Sequence, residues 1–121
     1  WSPDGRLAYA VAPGGGYNAQ LRMTTIEGTE LRLLDDDGEA NTFVGDFAKD
    51  GRYFFRTNVR DPASTDAWIW DPATGKSTLA IQFEGLGGII DLVGDKALTY
   101  RLVTRGIHLN EAIFAPVRRA V

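Results

Sequence analysis

A chain of 121 residues, 44% hydrophobic and 24% charged, has the size and composition of one ordinary globular domain, so a packed core is expected rather than disorder. Its net charge of −3, with both signs spread along the chain and no basic stripe, argues against a nucleic-acid partner. The lack of cysteine removes disulfides, thiolate metal sites and a cysteine nucleophile and fits a reducing compartment, and no apolar run nears the ~20 residues of a membrane-spanning helix.

The chain opens on Trp1-Ser2-Pro3-Asp4-Gly5, without an initiator Met and without the basic-then-apolar layout of a signal peptide, so it is expected to begin inside something longer. Leu7 to Val11 alternates Leu, Tyr and Val against two alanines and reads as a strand. Ala19 to Ile26 sets Leu21 and Met23 against Gln20, Arg22 and Thr24, and Leu31 to Leu34 is a short apolar run. Thr42 to Phe47, Arg52 to Thr57 and Ala67 to Asp71 follow, the last ending in the turn Asp71-Pro72-Ala73-Thr74-Gly75. Lys76 to Phe83, Gly88 to Val93, Lys96 to Thr104 and Leu109 to Ala115 complete the set, with Pro116 to Val121 left as strand or coil. Fourteen glycines and five prolines cut the chain into pieces too short for helices.

A repeat underlies these elements. Asp4-Gly5-Arg6 is followed by an apolar strand, and Asp50-Gly51-Arg52 is followed by Tyr53-Phe54-Phe55; the glycines lie 46 positions apart, from 5 to 51. A degenerate third copy, Val93-Gly94-Asp95-Lys96, comes another 43 or 44 positions later and leads into Ala97 to Tyr100. Glycine takes positive φ without steric cost and the Asp carboxylate can bond the turn backbone, so each pair marks a tight turn. Tyr53-Phe54-Phe55, Trp68-Ile69-Trp70 and Ile89-Ile90 are apolar on both faces, which a one-sided sheet does not need. A period of 40–50 residues with four strands per unit is that of a β-propeller, whose blades each pack between two neighbours. The expectation is an all-β fold, a partial β-propeller of about two and a half four-stranded antiparallel blades, with blade parts at about 1–40, 41–86 and 87–121. A β-sandwich is the competing arrangement, but it has no reason to repeat an Asp-Gly turn at a fixed interval.

Trp1-Ser2-Pro3-Asp4-Gly5-Arg6-Leu7-Ala8-Tyr9 resembles the signature of TolB-type propeller repeats. Phe47-Ala48-Lys49-Asp50-Gly51-Arg52 resembles a looser copy, and Asp71 to Lys76 resembles the Asp-x-x-Thr-Gly-Lys hairpin that closes such blades. Such repeats build the N-terminal propeller of prolyl-oligopeptidase-type serine peptidases, including acylaminoacyl peptidases, and also TolB-like propellers that bind proteins. The irregular insert Asn58 to Thr65 is more similar to the peptidase group. That resemblance implies a propeller that gates and selects peptide substrates for an α/β-hydrolase domain. Its partners would be the remaining blades, that domain and the peptide. The TolB alternative implies a non-enzymatic protein-binding propeller in the periplasm rather than the cytoplasm.

No catalytic machinery is read in the chain itself. It has no Gly-x-Ser-x-Gly elbow. Its one histidine, His108, is placed in a loop from Arg105, and Ser2, Ser64 and Ser77 are not expected to converge on it. Asp35-Asp36-Asp37-Gly38-Glu39 fails the calcium-loop spacing and reads as a solvated turn, and Gly14-Gly15-Gly16 lacks the Gly-Lys-Ser/Thr of a phosphate loop. No cofactor or metal site is expected. Trp68 and Trp70 share a face and read as packing between blades. Arg60, Arg101 and Arg105 are the candidates for contacts to a peptide in a central channel, against the plainer reading of rim salt bridges. Two and a half blades leave apolar faces uncovered, so self-association is expected.

Overall fold

The computed structural model describes residues 1–12, 18–34, 40–103, 106–113 and 118–119. Among them there is no helix. Ten antiparallel strands form three meanders in chain order. The first sheet holds β1 (Leu7–Val11), β2 (Gln20–Thr24) and β3 (Glu30–Arg32). The central sheet holds β4 (Thr42–Phe47), β5 (Tyr53–Thr57), β6 (Asp66–Asp71) and β7 (Lys76–Gln82). The third holds β8 (Gly87–Val93), β9 (Lys96–Val103) and β10 (Gly106–Ile113). A two-residue strand, β11 (Arg118–Arg119), returns to pair parallel with β7 rather than extending the third sheet. The sheets do not close into a ring.

The repeat read from the Asp-Gly pairs is present in the backbone. In the first turn Ser2 N–H donates to Arg6 O (2.7 Å) and Gly5 N–H to Ser2 O (3.2 Å). In the second, Ala48 N–H donates to Arg52 O (2.8 Å) and Gly51 N–H to Ala48 O (3.0 Å). The glycines have φ of 86° and 91°, where a side chain is costly. Each Asp pairs with the Arg two residues on, Asp4 with Arg6 and Asp50 with Arg52. A shift of 46 residues carries β1 onto β5 and keeps the register with the next strand: Leu7↔Thr24 becomes Tyr53↔Trp70, and Ala8↔Met23 becomes Phe54↔Ile69. The third copy, Gly94-Asp95, is the two-residue turn between β8 and β9 and occupies the place of Asp50-Gly51 between β4 and β5. The first sheet therefore holds counterparts of β5 to β7, and the third holds counterparts of β4 to β6.

Alternation along the central strands sends side chains to two cores. Tyr53, Phe55 and Trp70 pack with Leu21, Met23 and Leu33 of the first sheet and its exit, with Trp68, Phe47 and Ala8 against them. Phe54, Ala67, Ile69 and Ile81 pack with Ile89, Leu92 and Ala97 of the third sheet. The central sheet is thus buried on both faces, and each of its large side chains removed from water contributes about 1.5–3 kcal/mol. Arg6 of the first turn adds a cation–π contact, 5.2 Å from the Trp70 ring centroid.

His108 is not in a loop. Val103 pairs with Gly106, and His108 is the third residue of β10, opposite Arg101. Gly106, at φ 140°, lies in a region that glycine enters freely, and it opens the strand where the sequence pattern suggests a longer loop.

Candidate functional site

Polar side chains gather at two places beside the joint between the central and third sheets. The first is a clasp around the connection from β5 to β6. Asp66 opens β6 with its side chain only 2% exposed, and Arg60 swings back from residues 58–65 to meet it. Arg60 Nε donates to Asp66 Oδ2 (2.7 Å) and Nη2 to Asp66 Oδ1 (2.9 Å), a bidentate pair, while Nη2 also donates to Phe83 O (3.0 Å). The Asp66 carboxylate holds the Arg60 guanidinium above its usual pKa. Thr65 Oγ1 donates to Gly87 O (2.7 Å) and accepts from Gly87 N–H (2.8 Å), and Ser64 Oγ accepts from Gly85 N–H (2.9 Å). These bonds pin the insert to the start of the third sheet.

The second is a cleft between β4 and β8, each an edge strand paired on one side only. β4 carries a bulge: the register steps between Phe43 and Asp46, so Val44 and Gly45 face one residue of β5. A Cβ on Gly45 would lie 1.7 Å from Phe54 O, so only glycine fits there. Gly45 N–H donates to the Tyr53 hydroxyl (2.7 Å), and burial pushes the pKa of that phenol up to about 12. β8 has its own irregularity between Ile89 and Asp91. Across β8 the Tyr100 ring lies over Gly88, where a Cβ would come within 2.9 Å of the ring and the hydroxyl. The cleft has a volume of about 70 Å³, walled by Val44, Gly45, Gly88 and Ile89, with Phe54 in its lining and the Arg56 and Tyr100 side chains at its polar end. Arg56 is half-buried, with its guanidinium carbon 4.3 Å from the Phe43 ring centroid, and it makes no ion pair among the described residues.

Of the residues singled out from the sequence, Arg60 is taken up by the clasp, although its side chain remains 38% exposed. Arg101 is half-buried on β9 between Gly87 and His108 in the ladder. Arg105, Asp35 to Glu39 and Gly14 to Gly16 lie outside the described residues. His108 is exposed on β10, while Ser2 sits in the first Asp-Gly turn, Ser64 in the clasp and Ser77 on β7 opposite Trp70. Among the described residues no group of three or more His, Asp or Glu side chains is arranged to hold a metal. The cleft therefore offers a cation, a hydroxyl and the exposed edge of β4 for binding, with no nucleophile beside a base.

Arg56, Tyr100, Gly45 and Gly88 were not singled out from the sequence. The available signal was Gly45, a lone glycine inside a strand pattern, which marks a bulge or a close backbone approach.

Comparison with protein-family models, with curated proteins and with solved structures finds no match to the chain.

Proposed function

We propose that the three sheets are consecutive blades of a β-propeller and that this propeller is the substrate-gating module of a prolyl-oligopeptidase-type serine peptidase, non-catalytic by itself. The observation that carries the reading is the 46-residue shift: it superposes turn, pairing register and buried face of the first sheet on the central one, each sheet resting on the next in the same sense. A sandwich of two sheets does not bury its middle sheet twice; a radial stack does. The peptidase assignment rests on the resemblance of the repeat signature and of the insert from Asn58 to Thr65, which the clasp holds as an ordered projection. The near-complete match of Trp1 to Tyr9 to the TolB signature favours, as a second reading, a protein-binding propeller without a hydrolase.

The partners follow from the open stack. Further blades, and in the peptidase a hydrolase domain, cover the outward face of the third sheet. In the 121-residue protein alone that face is met by a second copy through the same face. Its exposed aliphatic side chains offer apolar contact, and Lys96 and Glu111, 3.6 Å apart at its end, offer both charges to a partner.

The test is the reading frame that encodes this stretch, together with an assay. A downstream Gly-x-Ser-x-Gly, then Asp, then His, with acyl-peptide or prolyl-peptide hydrolysis by the longer protein and none by residues 1–121, is the expected result. A secretion signal with no hydrolase domain would replace the peptidase reading with the protein-binding one. Turnover by the 121-residue chain that a serine-directed inhibitor blocks would overturn the non-catalytic assignment.

A further inference from the structure

We infer that the cleft between β4 and β8 is a carboxylate site that takes the C-terminal end of a peptide with a small last residue; the inference rests on the reading of this chain as a peptide-selecting propeller segment. Two side chains carry the charge and the polarity. Arg56 is a half-buried guanidinium without an anionic partner among the described residues, already oriented by its stack on Phe43 at 4.3 Å. A planar, preorganised fork of this kind is suited to a carboxylate, and its charge asks for one. The Tyr100 hydroxyl, held across Gly88, lies at the same cleft and supplies a neutral donor.

The walls explain the peptide. Gly45 and Gly88 leave two walls of the cleft without side chains; Gly88 and Ile89 are buried and Gly87 is bonded to Thr65, so an extended main chain can come close along the exposed edge of β4. The size limits the ligand. About 70 Å³ is the space of roughly two water molecules, enough for a carboxylate and little more, so the rest of the peptide must leave along the strand edge. Val44 and Ile89 offer apolar contact to a methyl side chain and nothing to a charged one. The bulge in β4 places Val44 and Gly45 opposite one residue of β5 at the cleft wall.

The experiment is an amide-resolved NMR titration of the 121-residue protein with three probes: N-acetyl-dialanine, its C-terminal amide, and N-acetyl-aspartyl-alanine amide. The expected result is that N-acetyl-dialanine shifts the backbone signals of Gly45, Gly88 and Tyr100 with a millimolar Kd, while the amide binds at least about tenfold more weakly. The aspartyl probe should bind as weakly as the amide, because its carboxylate hangs from a branch that the glycine walls do not guide. Arg56→Met should lose the binding with an unchanged urea midpoint, and Arg56→Lys should recover part of it, since a point charge remains but the fork does not. Equal binding of acid and amide would overturn the carboxylate site and leave the peptide reading standing. Equal or tighter binding of the aspartyl probe would overturn the assignment to the chain terminus. No binding by any probe would remove this inference and, with it, peptide selection by this part of the propeller.

Discussion

The first and third sheets rest on the central sheet in the same way but turn different surfaces outward. On the first sheet the outward residues Leu7, Tyr9 and Val11 are half-buried and sit beside a polar latch. The Tyr9 hydroxyl donates to Glu30 Oε1 (2.7 Å) and Arg22 Nη1 donates to the same oxygen (3.1 Å), so β1, β2 and β3 are tied across one face. On the third sheet Val93, Leu98, Leu102, Ile107 and Leu109 are between 43 and 74% exposed, and a shallow hollow of about 240 Å³ lies between Val93, Leu98 and Glu111. Leu98 stands where Phe54 stands in the central sheet, and Phe54 is 4% exposed because the third sheet covers it. One repeat thus supplies two kinds of end: one finished with polar groups that water can satisfy, the other still carrying the surface that its neighbour would bury.

The largest effects should come from the inward faces, where the two outer sheets are alike. Trp70→Ala removes the anchor of the first sheet, and Phe54→Ala removes that of the third. Each should cost about 3–5 kcal/mol in urea unfolding, as large aromatic truncations in a core do. Similar losses on the two sides would support a central sheet that leans equally on both neighbours. A cost below about 1 kcal/mol for either one would mean that the corresponding sheet does not rest there, and the shared repeat would no longer describe the packing.

The outward faces should then separate the ends. Leu98→Glu places a charge in the middle of the bare face and should weaken self-association by at least tenfold, about 1.4 kcal/mol, in sedimentation velocity. Tyr9→Phe, on the latched face, should leave association as it was. If Tyr9→Phe weakens the dimer as much as Leu98→Glu does, copies pair third sheet to first. If the wild-type chain is a monomer at all concentrations, the bare face needs no cover and the comparison fails.

The parts of this arrangement that depend on neighbouring residues were legible in the sequence. The Asp-Gly turns are local chemistry, so their spacing identified equivalent strands before any packing was known; of the doubly apolar runs, Tyr53 to Phe55 and Trp68 to Trp70 lie in the sheet that is buried twice, whereas Ile89-Ile90 lies in the third sheet with Ile90 44% exposed. The cleft was not legible, because Arg56 and Tyr100 are 44 positions apart and line one cleft only once the central and third sheets pack together. Arg60 looked available for a ligand because its partner Asp66 fell between the insert read at Asn58 to Thr65 and the strand read at Ala67 to Asp71; only the return of residues 58–65 brings the two together. His108 was displaced by the same kind of ambiguity, with Gly106 punctuating the chain as a turn while serving as the first residue of a strand.

The smallest effect, and the finest test of the contrast between the ends, is the pH dependence of the latch. The Tyr9 hydroxyl and then Arg22 hold Glu30 below the ordinary glutamate range, and Glu30 in turn raises the Tyr9 phenol. A depressed carboxylate pKa favours the fold above the unfolded value, ~4.3, and that contribution is lost as pH falls through the folded value. A raised phenol favours the fold below ~10 and is lost as pH climbs through its folded value. The latch should therefore act in the window between, with both limits set on the first sheet alone. In an NMR titration Glu30 should protonate at a lower pH than a free glutamate, and Tyr9→Phe should move that midpoint upward while Arg22 still holds it part of the way. A Glu30 midpoint that ignores the loss of the phenol would show that the first sheet is not latched, and its outward face would then differ from that of the third only in the size of its side chains.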